Sequence, residues 1–89
     1  MDIKLTFQIL TGYDQENFDL DYSEDTLFEQ VVLNVGQIIG IEFNDFVLKS
    51  ANGSVIPKSK YQLTVKEVVS LFGTFYKIED LIKIEDDNE

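Results

Sequence analysis

The sequence predicts a two-layer α+β domain in which one main helix covers one face of a mixed β-sheet. Hydrophobic and polar residues alternate over the first ten positions and again from Phe18 to Tyr22, which is the period of a strand with one buried face. Apolar residues at helical spacing follow between Leu27 and Ile39, and a further strand pair surrounds Asn52-Gly53. With 89 residues, 44 % of them hydrophobic, the chain has the size of one domain.

The first two strands read as a hairpin. One face of the first strand carries the apolar residues Ile3, Leu5, Phe7 and Ile9. Residues 11–17 are polar and contain a glycine, so we expect a loop there. In the second strand Phe18, Leu20 and Tyr22 share one face, which leaves Asp19 and Asp21 on the other.

The main helix has a predicted start and a predicted end. Thr26 and Glu29 have the spacing of a capping box, and Gly40 stands where a C-terminal glycine cap belongs. The apolar stripe consists of Leu27, Val31, Val35 and Ile38. Gly36 lies inside the helix, where it either permits close packing or marks an early end.

The second half of the chain begins with a predicted third strand, Phe46–Ser50. Asn52-Gly53 is a strong hairpin signal, and Val55-Ile56 is the predicted strand on its far side. Pro57 ends that strand, because proline cannot donate to a central ladder.

A short second helix and a last strand complete the domain. Thr64 and Glu67 form a second capping-box pattern, which opens a helix from Val65 to Phe72 that stops at Gly73. A strand is predicted from Phe75 to Ile84, with a turn near Glu79-Asp80. We therefore place one domain over residues 1–85 and a disordered acidic tail over residues 86–89.

The composition excludes several kinds of site. There are 17 acidic residues and 7 basic residues, all of them lysine, so the formal net charge is -10. Cysteine, histidine and arginine are absent, which removes the thiolate nucleophile, the commonest general base and the guanidinium fork. The acid pair Asp19 and Asp21 lies on the polar face of a strand, where solvated carboxylates are ordinary. We expect no catalytic residue, no cofactor and no metal.

The charge also limits the partners. An acidic surface repels nucleic acid and anionic lipid, and it favours a protein partner with a basic surface. The same charge also keeps a small domain soluble, so solubility is an alternative explanation. No signal peptide or membrane-spanning segment is visible, and we expect a cytoplasmic protein without membrane insertion. No part of the pattern specifies an oligomeric state.

The order of elements resembles the ubiquitin-like β-grasp family. Met1-Asp2-Ile3-Lys4-Leu5 with Leu10-Thr11-Gly12 is similar to the first ubiquitin strand and its turn. Asp25-Thr26-Leu27 resembles the opening of the ubiquitin helix, and Gly40-Ile41 resembles the pair after it. The resemblance is close over residues 1–56 and looser from Pro57 onward. It implies a β-grasp sheet of four to five strands.

The last residues differ from those of conjugated ubiquitins. Those proteins end in Gly-Gly, whereas this sequence ends Asp86-Asp87-Asn88-Glu89, so we expect no conjugation. Residues 78–84 are similar to the terminal strand of small bacterial ubiquitin-like proteins of the YukD/EsaB type, although Glu79 replaces a glycine. That resemblance implies an accessory or regulatory role in type VII secretion.

We therefore expect a non-enzymatic module that binds another protein. The predicted contact residues are Val47, Tyr61, Phe75 and Tyr76, as an aromatic patch on the open face of the sheet, together with Asp19 and Asp21. Two alternatives stay open. One is an acidic inhibitor of the phage or plasmid type that mimics nucleic acid. The other is a ubiquitin-like accessory subunit of a multicomponent enzyme.

Overall fold

A computed structural model describes residues 2–11 and 14–81, which form a four-stranded sheet covered by two helices. The elements are β1 (Asp2–Thr11), β2 (Asp14–Ser23), α1 (Phe28–Ile39), β3 (Phe46–Ser50), α2 (Val65–Phe72) and β4 (Phe75–Asp80), with 3-10 turns at Phe43–Asp45 and Lys58–Gln62. The predicted α+β class is confirmed. The predicted domain end at residue 85 and the tail 86–89 lie outside the described residues.

The sheet has the order β2-β1-β4-β3, so the first and last strands occupy its centre. β1 pairs antiparallel with β2 and parallel with β4, and β3 pairs antiparallel with β4. β2 begins at Asp14, so the loop predicted through residue 17 is wrong over its second half. Residues 14–17 instead continue the ladder opposite residues 8–11, because β1 supplies a partner along its whole length.

The predicted strand at Val55-Ile56 is reduced to a single bridge between Val55 and Lys49. The Asn52-Gly53 turn itself is present. The Asn52 side-chain oxygen accepts a hydrogen bond from the Ser54 N–H at 3.2 Å, and Gly53 has a φ of 91°. The chain leaves the sheet immediately afterwards, so the sheet has four strands.

The core lies between the helices and one face of the sheet. Its buried members are Leu5, Phe7, Phe28, Val31, Val32, Val35, Phe46, Leu48, Ile56, Tyr61, Val65, Val68, Tyr76 and Ile78. On β1 the buried residues Leu5 and Phe7 are members of the predicted apolar set. The alternating pattern of β1 therefore identified the covered face correctly.

Tyr76 lies at the centre of this core and is fully buried. Its ring centroid is 5.7 Å from the ring centroids of both Phe7 and Phe28, so one side chain joins β4, β1 and α1. Its hydroxyl donates a hydrogen bond to the Gly73 carbonyl at 2.5 Å. Burial raises the pKa of Tyr76 well above the ordinary tyrosine value.

The capping box predicted at Thr26 and Glu29 is wrong. The N-cap residue of α1 is Leu27, and it has no side-chain cap. The Phe28 N–H donates instead to the Leu63 carbonyl at 2.8 Å, and the Val65 N–H donates to the Thr26 carbonyl at 2.7 Å. The two helix starts are therefore joined through their backbones, and the side-chain cap is not needed.

The second capping box is confirmed at α2. The Thr64 hydroxyl oxygen accepts a hydrogen bond from the Glu67 N–H at 3.3 Å, and the Glu67 carboxylate accepts one from the Thr64 N–H at 2.9 Å. Helix α2 has the predicted bounds, Val65–Phe72, and is followed by Gly73. The sequence pattern located this helix to the residue.

Two glycines act at the end of α1. Gly40 has a φ of 75° and is the predicted C-cap. Gly36 lets the chain pack closely, because a Cβ there would lie 2.7 Å from the Ile41 carbonyl oxygen and 3.2 Å from the Phe46 ring. Of the two interpretations of Gly36, close packing is the correct one.

Replacing Thr64 by alanine should cost about 1 kcal/mol of unfolding free energy, the usual value of an N-cap side chain. Thr26→Ala is the matched control, since the side chain of Thr26 makes no capping bond to α1 and should cost clearly less. Urea unfolding followed by circular dichroism measures both. Equal losses for the two variants would contradict the assignment of the cap.

Gly36→Ala should destabilise the fold even though alanine is the better helix former by about 1 kcal/mol. The added methyl group meets a backbone oxygen that cannot move freely, since Gly36 and Ile41 are already joined by a backbone hydrogen bond. We expect a net loss of about 1–2 kcal/mol in urea unfolding, the range of overpacked cores. Gln37→Ala, at the exposed neighbouring position, should stay within about 0.5 kcal/mol of the parent. A stabilised Gly36→Ala protein would show that the contact is not tight.

Stability should fall in alkaline solution because the folded state keeps Tyr76 protonated. The contribution is complete below the ordinary tyrosine pKa of about 10 and is lost as the pH rises above it. Urea unfolding between about pH 8 and 11 should show this decline, and it should be shallower in Tyr76→Phe. That variant should also lose about 1 kcal/mol at neutral pH with the Gly73 hydrogen bond. Identical pH dependence in both proteins would contradict the prediction.

Candidate functional site

The face of the sheet turned away from the helices is exposed, and we call it the open face. The strand registers place on it Lys4, Thr6, Gln8, Asn17, Asp19, Asp21, Val47, Lys49, Phe75, Lys77 and Glu79. Thr6 marks its centre, since it lies opposite Asp19 on one side and Phe75 on the other. Most of these side chains are polar or charged.

The predicted aromatic patch does not form on the open face. Tyr61 and Tyr76 are core residues, exposed by 3 % and 0 %, so their predicted placement there is wrong. Val47 and Phe75 do lie on the open face and are half-buried. Val47 is opposite Glu79, four residues along β4 from Phe75, which separates the two by about 13 Å. A binding role for Val47 and Phe75 stays a prediction.

Tyr76 had a signal that sequence reasoning overlooked. It has the same strand parity as Ile78, which is itself a core residue, so the alternation of β4 already pointed its ring inward. Tyr61 is different, because it lies in a 3-10 turn where no strand or helix period applies. Its ring packs against Phe28 and Phe43, at centroid distances of 6.0 and 5.6 Å.

The predicted acids Asp19 and Asp21 are exposed side chains of β2. Asp19 accepts a hydrogen bond from the Thr6 hydroxyl at 2.8 Å. Asp21 is opposite Lys4 in the ladder, yet among residues 2–11 and 14–81 no lysine nitrogen lies within 4 Å of its carboxylate. On the far side of the open face, Lys49 and Glu79 form an ion pair at 2.8 Å.

The charges are segregated along the chain and across the sheet. Residues 5–48 contain nine acids and no lysine, whereas residues 49–81 contain five lysines and three acids. β2 lies at one edge of the sheet and β3 at the other. Six of these nine acids lie in β2 and the turn after it, at one edge of the sheet, whereas Lys49 lies in β3 and Lys77 in the neighbouring strand β4.

The direction of the backbone groups of β2 follows from one hydrogen bond. The Thr6 N–H donates to the Thr74 carbonyl at 2.9 Å, so the backbone groups of Thr6 face β4. Since alternate residues of a strand face opposite neighbours, Leu5 faces β2 and its partner Leu20 faces back. Asp19 and Asp21 consequently direct their N–H and C=O groups out of the sheet, as does Asn17.

The two edges of the sheet differ. At β3 the outward groups at the C-terminal end of the strand are occupied, because the Ser50 N–H donates to the Ser54 carbonyl at 2.8 Å and the Ile56 N–H donates to the Leu48 carbonyl at 2.9 Å. At β2 no backbone partner for Asn17, Asp19 or Asp21 comes from the described part of the chain. Within residues 2–11 and 14–81, β2 is therefore the open edge of the sheet, and it is a strand of ten residues.

An apolar strip runs beside this edge on the helix side. Phe18, Leu20 and Tyr22 are half-buried there. Asn34 of α1 donates a hydrogen bond from Nδ2 to the Tyr22 hydroxyl at 3.2 Å, and Ile38, one turn further along, is 54 % exposed. Burial raises the pKa of Tyr22, and the hydrogen bond from Asn34 opposes that shift. No sequence pattern indicates that this strip adjoins an open edge, because that depends on the strand order.

The described residues contain no group of three acidic side chains placed to hold a metal ion. Every buried side-chain nitrogen or oxygen among them has a hydrogen-bond partner. Neither of the two described helices is long and apolar enough to cross a membrane. The features that stand out are thus the open face and the open edge of β2.

Comparison with known proteins establishes the fold. No protein-family model and no curated protein matches the sequence. Among solved structures, the chain is similar to the N-terminal ubiquitin-like domain in the 4931431F19Rik protein, with a TM-score of 0.54, over 84 % of this chain and 72 % of that chain, at 15 % identity. The chain has the ubiquitin-like β-grasp fold, as its sequence predicted. At this identity the likeness concerns the fold alone.

Proposed function

We propose that this chain is a non-enzymatic ubiquitin-like module that binds a protein with a basic surface and acts by contact rather than by covalent attachment. The observation that carries the proposal is the concentration of acidic residues in β2 and the turn after it. Nine acids lie between Lys4 and the next lysine, Lys49, and β2 with the turn after it holds six of them. Such a field speeds the encounter with a positively charged partner.

Hydrogen bonding leaves these carboxylates available. Asp19 accepts one neutral hydroxyl donor, and Asp21 has no lysine within ion-pair distance among the described residues. Each exposed pair formed with a partner adds at most about 1 kcal/mol. Several pairs together therefore give selectivity and a fast on-rate, and apolar contacts must supply much of the affinity.

The finer proposal is an accessory or regulatory component of a bacterial type VII secretion system, working in the cytoplasm. It is supported by the similarity of residues 78–84 to the terminal strand of the YukD/EsaB proteins. Gene neighbourhood tests this assignment: a position beside type VII secretion genes would support it, and a consistent neighbourhood of oxygenase genes would favour the accessory-subunit alternative.

Mimicry of nucleic acid is the second candidate, because Asp19 and Asp21 form a row on the open face. A mimic needs a continuous line of negative charge. Here Lys4, Lys49 and Lys77 lie on the same face and interrupt that line. The mixed charge of the open face therefore favours an ordinary protein contact over mimicry.

Charge reversal tests the proposed function. The double variant Asp19→Lys/Asp21→Lys is used to capture protein from a lysate of the source organism at about 50 mM salt, where screening is weak. It should capture at least tenfold less partner protein than the parent chain. The control Glu42→Lys/Asp45→Lys changes the net charge equally but lies in the connection before β3, and it should retain capture. Circular dichroism checks that both variants fold.

Three results would contradict this proposal. Capture that is equal in both variants would show that the β2 acids have no specific role. Capture of an adenylating enzyme would indicate conjugation. Capture of a nucleic-acid-binding protein that is released by competing DNA would favour mimicry.

A further inference from the structure

We propose that β2 accepts an extended basic segment of the partner protein as a fifth strand of the sheet. This inference rests on the proposed function and deepens it, since it assigns the contact to the open edge and defines the segment that fits. Three features of the described residues carry it: outward backbone groups, the two chemically different sides of β2, and the sign of its charge.

The backbone of β2 is prepared for strand addition. Asn17, Asp19 and Asp21 direct N–H and C=O groups away from β1, and nothing among the described residues pairs with them. Proteins usually protect such an edge with lysine, proline, a bulge or a very short strand. β2 has ten residues, contains neither lysine nor proline, and pairs with β1 in continuous register. An incoming strand therefore finds a regular ladder.

The two sides of β2 define the side chains of that strand. Residues opposite Asp19 and Asp21 project on the open face, where lysine or arginine would meet the carboxylates. The intervening residues project on the helix side, beside Phe18, Leu20 and the exposed Ile38. The fitting segment consequently alternates basic and apolar residues with a period of two.

The charge also decides against a second copy of this chain as the occupant. Pairing two β2 edges would place acids beside acids, and like charges directly opposite in a ladder are destabilising. The β3 edge of another copy is obstructed as well, since residues 54–56 lie along it and bind the Ser50 N–H and the Leu48 carbonyl. A basic segment of a different protein meets neither obstacle.

The test uses a labelled synthetic nonapeptide in which lysine alternates with valine and isoleucine, added to the full chain and followed by fluorescence anisotropy. Methyl groups placed on the backbone nitrogens of either alternate set of peptide residues remove half of its donors. Methylation should weaken binding at least tenfold only when it removes the N–H groups that face β2. If the peptide pairs antiparallel with β2, these are the N–H groups of its lysines; if it pairs parallel, they are the N–H groups of its apolar residues.

Two further measurements examine the protein side. Amide exchange by NMR should slow at Asn17, Asp19 and Asp21 on binding, while Phe18 and Leu20, already paired with β1, should change little. Asn17→Pro removes one outward donor and should weaken binding, whereas Asn17→Ala should not. If Asn17→Pro fails to fold, the methylated peptides test the same hydrogen bonds without altering the protein.

Some results would overturn strand addition and leave the proposed function standing. A shuffled peptide of the same composition that binds equally well would indicate simple charge attraction, as would equal effects of the two methylated sets. Absence of binding would also overturn it, while capture that depends on Asp19 and Asp21 would persist. Protection of the outward amides without peptide, rising with protein concentration, would identify a second copy as the occupant.

Discussion

The parallel pairing of β1 with β4 is the constraint on which the rest of the structure depends. It joins strands from opposite ends of the described chain, and Tyr76 secures it because its ring packs on Phe7 of β1 and on Phe28 of α1. The antiparallel partners of these two strands, β2 and β3, must then lie outside the central pair. β2 and β3 become edges for this reason, and the difference between those edges follows from what the chain does next. After β3 the chain turns back, and residues 54–56 cover part of the β3 edge. After β2 the chain crosses to the helix layer and continues as α1.

Local signals predicted the elements that local chemistry controls. The Thr64 capping box and the Gly40 cap are satisfied within a few residues, so the sequence alone located both. The start of α1 was misassigned because its first donors are satisfied by a segment far along the chain, through Leu63, and Thr26 contributes its backbone rather than its side chain. The strand predicted at Val55-Ile56 does not form for a related reason. A strand needs a partner along several residues, and here the chain leaves β3 after one bridge.

The same distinction between local patterns and long-range pairing applies to the candidate site. Asp19 and Asp21 were placed correctly on an exposed face by alternation alone. Tyr76 lies on the face opposite to the predicted one, because its parity along β4 directs its ring into the core and its hydroxyl finds the one partner that it needs there, the Gly73 carbonyl. That β2 is an edge which no described residue covers could not be predicted from the sequence, because strand order is set by long-range pairing that no local pattern encodes. The three-dimensional arrangement thus moved the candidate contact from an aromatic patch to a backbone edge.

The free edge of β2 suggests a physical reason for the acidic residues of that strand. A long strand with one free edge can pair with other strands, and charged side chains are one of the few ways to limit such pairing without covering the edge. The usual protective residue is lysine, which would repel basic segments; β2 uses aspartate and glutamate. Acids give the same protection against copies of this acidic chain, yet they attract a basic strand. If β2 accepts a basic strand as proposed, solubility and recognition are not competing explanations of the charge, since the same carboxylates would oppose pairing between copies of this chain and favour the basic partner.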